Sequence, residues 1–148
     1  MPLELKYGYL RGPRVFVGTW PVAASQNFEN DSGKFIVLNA SDQVAIAVAA
    51  DTQLEGWAET GDWTSSATAG ADTVQVDAST LAVYRMPTNV DPANTRGETC
   101  DLVVTGGNQQ AAVNASATDV LHIMDIDTAD DTVDVHMTER LTGVAGVA

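Results

Sequence analysis

From residue 33 onward the apolar positions of this chain recur every second residue, in short runs broken by glycine, proline, asparagine and aspartate, which is the pattern of β-strands joined by turns. The clearest run lies in the last third. Residues 119–126 alternate, an acidic turn Asp127-Thr128-Ala129-Asp130-Asp131 follows, and residues 132–137 alternate again. With Ile126 facing Thr132, antiparallel pairing sets Ile123 opposite Val135 and Leu121 opposite Met137, with His122 opposite His136 on the other face. One face then serves burial and the other stays polar, as in a sheet with one wet side.

The same rule predicts the remaining strands. Residues 34–38, a turn at Asn39-Ala40-Ser41-Asp42 and residues 43–50 read as a hairpin. Alanine content would allow a short helix over 44–50, but the branched residues Val44, Ile46 and Val48 fall two apart, which favours a strand. Residues 51–59 read as a strand bulged at Gly56, and residues 61–70 as a polar loop whose single aromatic, Trp63, folds back over the edge of the core. Residues 73–77 and 81–86 are expected to form a hairpin through Ala78-Ser79-Thr80, while the Pro- and Asn-rich stretch 88–96 is a surface connection. Strands over 98–104 and 109–114, joined at Gly106-Gly107-Asn108, bring the count to about nine to ten, enough for two sheets or a closed barrel.

The predicted class is therefore all-β, an antiparallel β-barrel or β-sandwich with an extended N-terminal arm. Residues 1–32 form the arm and lead-in, 33–140 a single β domain, and 141–148 an aperiodic C-terminal tail. At 148 residues the domain is large enough to bury a core without disulfides or metals, and that core is built mainly of alanine and valine, since aromatics make up only 6%. Cys100 is the only cysteine and sits in a strand pattern, where it reads as a small buried hydrophobe.

Charge divides the chain unevenly. Lys6, Arg11 and Arg14 against Glu4 leave residues 1–14 at +2, so the rest of the chain carries −15 of the total −13. A body this acidic repels nucleic acid and anionic membrane, and no apolar run is long enough to span a bilayer or order itself as a signal peptide. The arm mixes its cations with aromatics. Lys6, Tyr7, Tyr9, Leu10, Arg11 and Arg14 read as an external contact, with Phe16, Val17 and Trp20 divided evenly between contact and core capping.

Catalytic signatures are absent: no nucleophile elbow, phosphate-binding loop, zincin helix or CxxC pair occurs, so the chain is read as a non-enzyme without cofactor. The acidic turn, Asp125 to Asp134, lacks the glycine and terminal glutamate of an EF-hand and reads as a solvated turn. His122 and His136 supply half of a tetrahedral site with no third ligand, so no metal is assigned to them, and crowding of two cations would resist double protonation.

Taken in order, a Gly-led strand (Gly33-Lys34-Phe35-Ile36-Val37), Ala49-Ala50-Asp51-Thr52, Gly56-Trp57-Ala58-Glu59, Tyr84-Arg85-Met86-Pro87 and Thr99-Cys100-Asp101-Leu102, with a closing strand before a Gly/Ala/Val tail, resemble the capsid decoration, or cement, proteins of tailed bacteriophages. The resemblance covers about residues 33 to 137 and is one of pattern, without a fixed motif. It implies a β-rich structural virion protein, a homotrimer in many relatives, made in the host cytoplasm and clamping neighbouring major capsid proteins on the capsid exterior. Such a protein would dock by its basic arm and turn its acidic body to solvent, and removal of residues 1–14 would leave the fold intact. The alternative is a calcium-dependent carbohydrate-binding or adhesin-like module, with Trp57, Trp63 and Tyr84 as stacking platforms.

Overall fold

The computed structural model describes residues 7–28 and 33–138. Among them there is no helix. In chain order the strands are β1 (Gly8–Arg11), β2 (Phe16–Pro21), β3 (Asn27–Phe28), β4 (Lys34–Leu38), β5 (Val44–Ile46), β6 (Gly56–Ala58), β7 (Trp63–Thr64), β8 (Thr73–Asp77), β9 (Val83–Pro87), β10 (Thr99–Thr105), β11 (Asn108–Ala112), β12 (Leu121–Asp127) and β13 (Thr132–Met137). A six-stranded sheet runs β1-β9-β13-β12-β10-β11, a five-stranded sheet runs β2-β8-β6-β4-β5, and β3 pairs with β7 alone.

Every ladder is antiparallel, and one parallel bridge closes on each large sheet: in the first, Thr88, just past the end of β9, meets Ala111 of the edge strand β11, and in the second, Val22, just past the end of the edge strand β2, meets Val44 of the other edge strand, β5. Neither bridge extends into a ladder, so the architecture is sandwich-like and not a closed barrel. Two cores result. One packs Tyr84, Met86, Leu121, Ile123 and Val135 of the first sheet against Phe35 and Trp57 of the second. The other lies on the opposite face of the second sheet, with Val22, Ile36, Val44 and Val76 around Phe28.

β4 explains this arrangement. Its alternate residues serve different cores, Phe35 and Val37 the first, Ile36 and Leu38 the second. A strand covered on both faces reads as an unbroken apolar run, as Phe35-Ile36-Val37-Leu38 does. The sheets are joined there by Gln109 of β11, whose side-chain amide accepts from Phe35 N at 2.8 Å and donates to Phe35 O at 2.8 Å and Ala47 O at 3.1 Å. That docking ends β5 at Ile46, short of the predicted strand, and the chain leaves through an Asp51 carboxylate that accepts from Val48 N at 2.7 Å.

The β10–β11 hairpin turns on Gly106 and Gly107 alone, with φ of 58° and 83°, a two-residue loop in which both positions require left-handed backbone. The final hairpin keeps the pairs Leu121–Met137, His122–His136 and Ile123–Val135, but its turn end is offset: Asp127, and not Ile126, faces Thr132. A bulge at Met124 absorbs the extra residue and leaves that side chain exposed. The hairpin predicted from residues 73–77 and 81–86 does not exist, because β8 and β9 belong to different sheets. Asp77 Oδ1 accepts from Ser79 N at 3.1 Å and Ser79 Oγ from Leu81 N and Ala82 N, a side-chain-capped turn that sends the chain across the sandwich instead of back on itself.

Candidate interaction surface at the N-terminal strands

The N-terminal segment is extended, and from Gly8 it is laid onto the domain as an edge strand of each sheet. β1 pairs with β9 in the register Gly8–Arg85 and Tyr9–Tyr84, and β2 pairs with β8 from Phe16–Asp77 to Pro21–Thr73. The link between them hugs the β8–β9 crossover, where a Cβ on Gly12, at φ +97°, would sit 2.6 Å from Leu81 O. Deleting residues 1–14 would therefore remove a strand and a buried ion pair, so the expectation that the fold survives this truncation is corrected.

The ion pair is centred on Asp77, which is fully buried. Its Oδ2 accepts from Arg14 Nε at 2.8 Å and Tyr84 OH at 2.7 Å, and its Oδ1 from Val15 N at 2.9 Å and Ser79 N. Burial pushes this carboxyl up, but the hydrogen bonds from Arg14, Tyr84 and the two amides together hold it below the usual carboxylate range. Burial and the same carboxylate push the Tyr84 phenol upward, keeping it a neutral donor. Arg14 also donates to Glu59 Oε2 at 3.1 Å and lies between two rings, its Cζ 4.0 Å from the Tyr9 centroid and 4.9 Å from that of Phe16.

This placement redistributes the contact residues expected from sequence. Lys6 lies outside the described residues. Arg14 faces inward, held by Asp77 and Glu59, and Arg11 stands 3.7 Å from Asp134, which Arg85 also binds. Tyr9 packs edge-on to Tyr84 and donates its hydroxyl to Gly12 O at 2.6 Å. Tyr7 and Leu10 are half-buried, and Trp20 is half-buried against the second core. Phe16 alone of the set presents a large apolar side chain outward, at 49% exposure.

Phe16 is flanked by Val17, which shares its even division between contact and core capping, and by Val15 and Leu81, which sequence reasoning passed over. Val15, Val17 and Leu81 are 54%, 41% and 64% exposed, Val15 and Val17 beside Phe16 in the chain and Leu81 against the Gly12 link. A signal for them was present: Val15-Phe16-Val17 is a consecutive apolar triplet leading into an edge strand, and a one-sided sheet can bury only alternate members. The β2–β8 register is broken between Phe16 and Thr19, which turns the triplet away from regular pairing. What this surface can do is bind an apolar partner by shape and area, not perform a reaction.

Other polar clusters serve the fold. Asp101 accepts from the amides of Ala117, Thr118 and Asp119 at 3.0, 2.7 and 2.9 Å, and although burial pushes its carboxyl up, those three donors hold it below the usual range. Arg96 pairs with Asp125 at 2.9 Å on the surface. Cys100 is fully buried, and burial pushes its thiol up to about 12. Among the described residues no group of three His, Cys, Asp or Glu side chains is placed to hold a metal ion.

Trp63 stacks on Phe28 at 5.7 Å over the second core, where its position in a polar loop had placed it. Trp57 and Tyr84 are buried and stack on each other at 4.7 Å, so two of the three platforms invoked for carbohydrate binding are unavailable to a ligand. Compared with known proteins, the chain matches no family model, no curated protein and no solved structure.

Proposed function

We propose that the protein is a structural virion component that binds the outer surface of a tailed-phage capsid and stabilises it by bridging neighbouring major capsid proteins. The observation that carries this reading is the exposed apolar patch around Val15, Phe16 and Val17 on an otherwise strongly acidic chain. Contiguous exposed apolar side chains mark a contact surface, and the remaining charge favours solubility of the free protein. The pattern resemblance to capsid decoration proteins supplies the partner, and a homotrimer on the capsid exterior belongs to the same reading. Docking is then by apolar edge, with the arm's arginines serving the fold and not the capsid.

The test is uptake by heads assembled from the major capsid protein of the same genome. Wild-type protein should co-sediment with them at fixed stoichiometry and raise the temperature at which they rupture. Phe16→Asp should keep the far-UV spectrum and lose occupancy by at least about tenfold, since removing a buried aromatic anchor costs about 2 kcal/mol or more. Heads that take up no wild-type protein, or take up Phe16→Asp equally well, would overturn the proposal.

A further inference from the structure

β6 stops at Ala58, opposite Val76 of β8, and beyond that pair the β6–β8 ladder ends. The chain leaving β6 stands off from residues 73–75 of β8 and continues into β7, where Trp63 is set opposite Phe28. The result is an open cleft of about 310 Å³ between β8 and the departing chain. Small-molecule sites span about 300–1,000 Å³, so this volume suits a ligand of one ring.

Two chemistries line the cleft. Trp63 is half-buried: its ring stacks on Phe28 at 5.7 Å, and what stays exposed borders the cleft. Thr73 and Gln75, alternate residues of β8, share one face and are exposed, while Val74 between them packs into the second core. Glu59 continues the register of the Trp57–Asp77 and Ala58–Val76 pairs and so comes level with Gln75. Arg14 Nη1 donates to Glu59 Oε2 at 3.1 Å, which orients the carboxylate and leaves Oε1 to accept from a ligand.

A pyranose ring matches that lining. One face of the sugar presents C–H groups that pack on an aromatic π-system, and its rim presents hydroxyls that both donate and accept. Glu59 accepts, and the Gln75 amide and Thr73 hydroxyl can each do both. An anionic ligand would be repelled by Glu59 and by a chain of net charge −13, and a cation gains little from a carboxylate that Arg14 already answers. We propose that this cleft binds one pyranose ring of a neutral glycan, stacked on Trp63 and held at its hydroxyls by Glu59, Gln75 and Thr73. Calcium has no part in it, because that ion takes six to eight oxygens and the cleft holds a single carboxylate. The cleft lies at the Thr73 end of β8 and the Phe16 patch at the Asp77 end, so a bound sugar leaves the patch free.

The test is proton–nitrogen NMR on the full-length protein, titrated to about 50 mM with the methyl glycosides of glucose, galactose, mannose and N-acetylglucosamine in turn. At least one should shift the Trp63 indole and the Thr73 and Gln75 amides saturably, with a Kd of about 1–10 mM, as suits a dozen heavy atoms on an open surface. EDTA should leave that Kd unchanged. Gln75→Ala, at an exposed position, should weaken binding at least about fivefold, and Trp63→Leu should abolish it. Should Trp63→Leu fail to fold by far-UV circular dichroism, wild type and Gln75→Ala decide alone. Absence of saturable shifts with all four glycosides would overturn the proposal, as would unchanged affinity in Gln75→Ala or loss of binding in EDTA. So would equal affinity for cyclohexanol, which keeps the ring and a single hydroxyl, since the cleft would then select apolar surface and not a sugar.

Discussion

Replacing Asp77 by asparagine removes one charge and no volume from the centre of the N-terminal attachment. The amide oxygen can keep the Oδ1 role, accepting from Val15 N and Ser79 N, but its NH₂ then faces two groups that donated to Oδ2, Arg14 Nε at 2.8 Å and Tyr84 OH at 2.7 Å. The phenol can rotate and accept; the guanidinium cannot. Breaking a buried ion pair from one side costs about 3–5 kcal/mol, and Glu59, 3.1 Å from Arg14 Nη1, retains part of the compensation, so the net loss should be about 2–4 kcal/mol. At a urea slope of about 2 kcal/mol/M this lowers the unfolding midpoint by about 1 to 2 M with the slope unchanged. Arg14→Met and the double variant complete a cycle whose coupling should be at least about 1.5 kcal/mol. A midpoint shift below about 0.3 M, or coupling near zero, would refute the argument that this pair fastens β1 and β2 to the domain.

Acid should expose the same carboxylates. Asp77 and Asp101 are held below their ordinary value in the folded state, so the unfolded chain binds more protons as pH falls between the unfolded and folded values. Their contribution is complete above about pH 5 and is lost progressively below it, and Asp101→Asn should flatten that acid limb in urea midpoints measured from about pH 2 to about pH 6. A limb of unchanged slope would count against the three-amide cradle. Cys100 should resist alkylation in native protein at about pH 8 and react fully in urea, because its thiol is buried and its pKa pushed up to about 12; rapid native labelling would contradict that burial.

Much of the fold was readable because its signal is local. Thr73–Asp77 and the Leu121–Met137 pairing follow from period-two alternation, Lys34–Leu38 from a short unbroken apolar run bounded by turn residues, and the two-glycine turn at 106–107 announces its own geometry. The bulge at Met124 was not legible, since inserting one residue leaves Ile123–Val135 paired and shifts only the turn end, where Ile126 comes to face Val133 instead of Thr132, a pairing selected by the packing of both side chains on the core. The β8–β9 crossover was hidden for another reason. Ala78-Ser79-Thr80 is a plausible hairpin loop, and only the burial of Asp77, a tertiary fact, turns Ser79 into the cap that redirects the chain.

The charge asymmetry shows how a correct count can carry an incomplete inference. Residues 1–14 are basic and the remainder acidic, as the composition states, and opposite charges do meet; they meet within the chain. Arg14 reaches Asp77 across 63 residues and Arg11 approaches Asp134 at the far end of the sequence, so the complementarity that suggested docking on a partner instead secures two edge strands. Arg14 is thereby turned away from any external contact, and the apolar triplet beside it is exposed on the outside of the segment. An interface built this way should be insensitive to salt where an arginine-led one would weaken steeply, because screening acts on exposed charges and leaves apolar burial nearly untouched. Capsid uptake that holds between about 0.05 and about 0.5 M salt would fit the Phe16 patch, and uptake that collapses over that range would return the contact to the arm's cations.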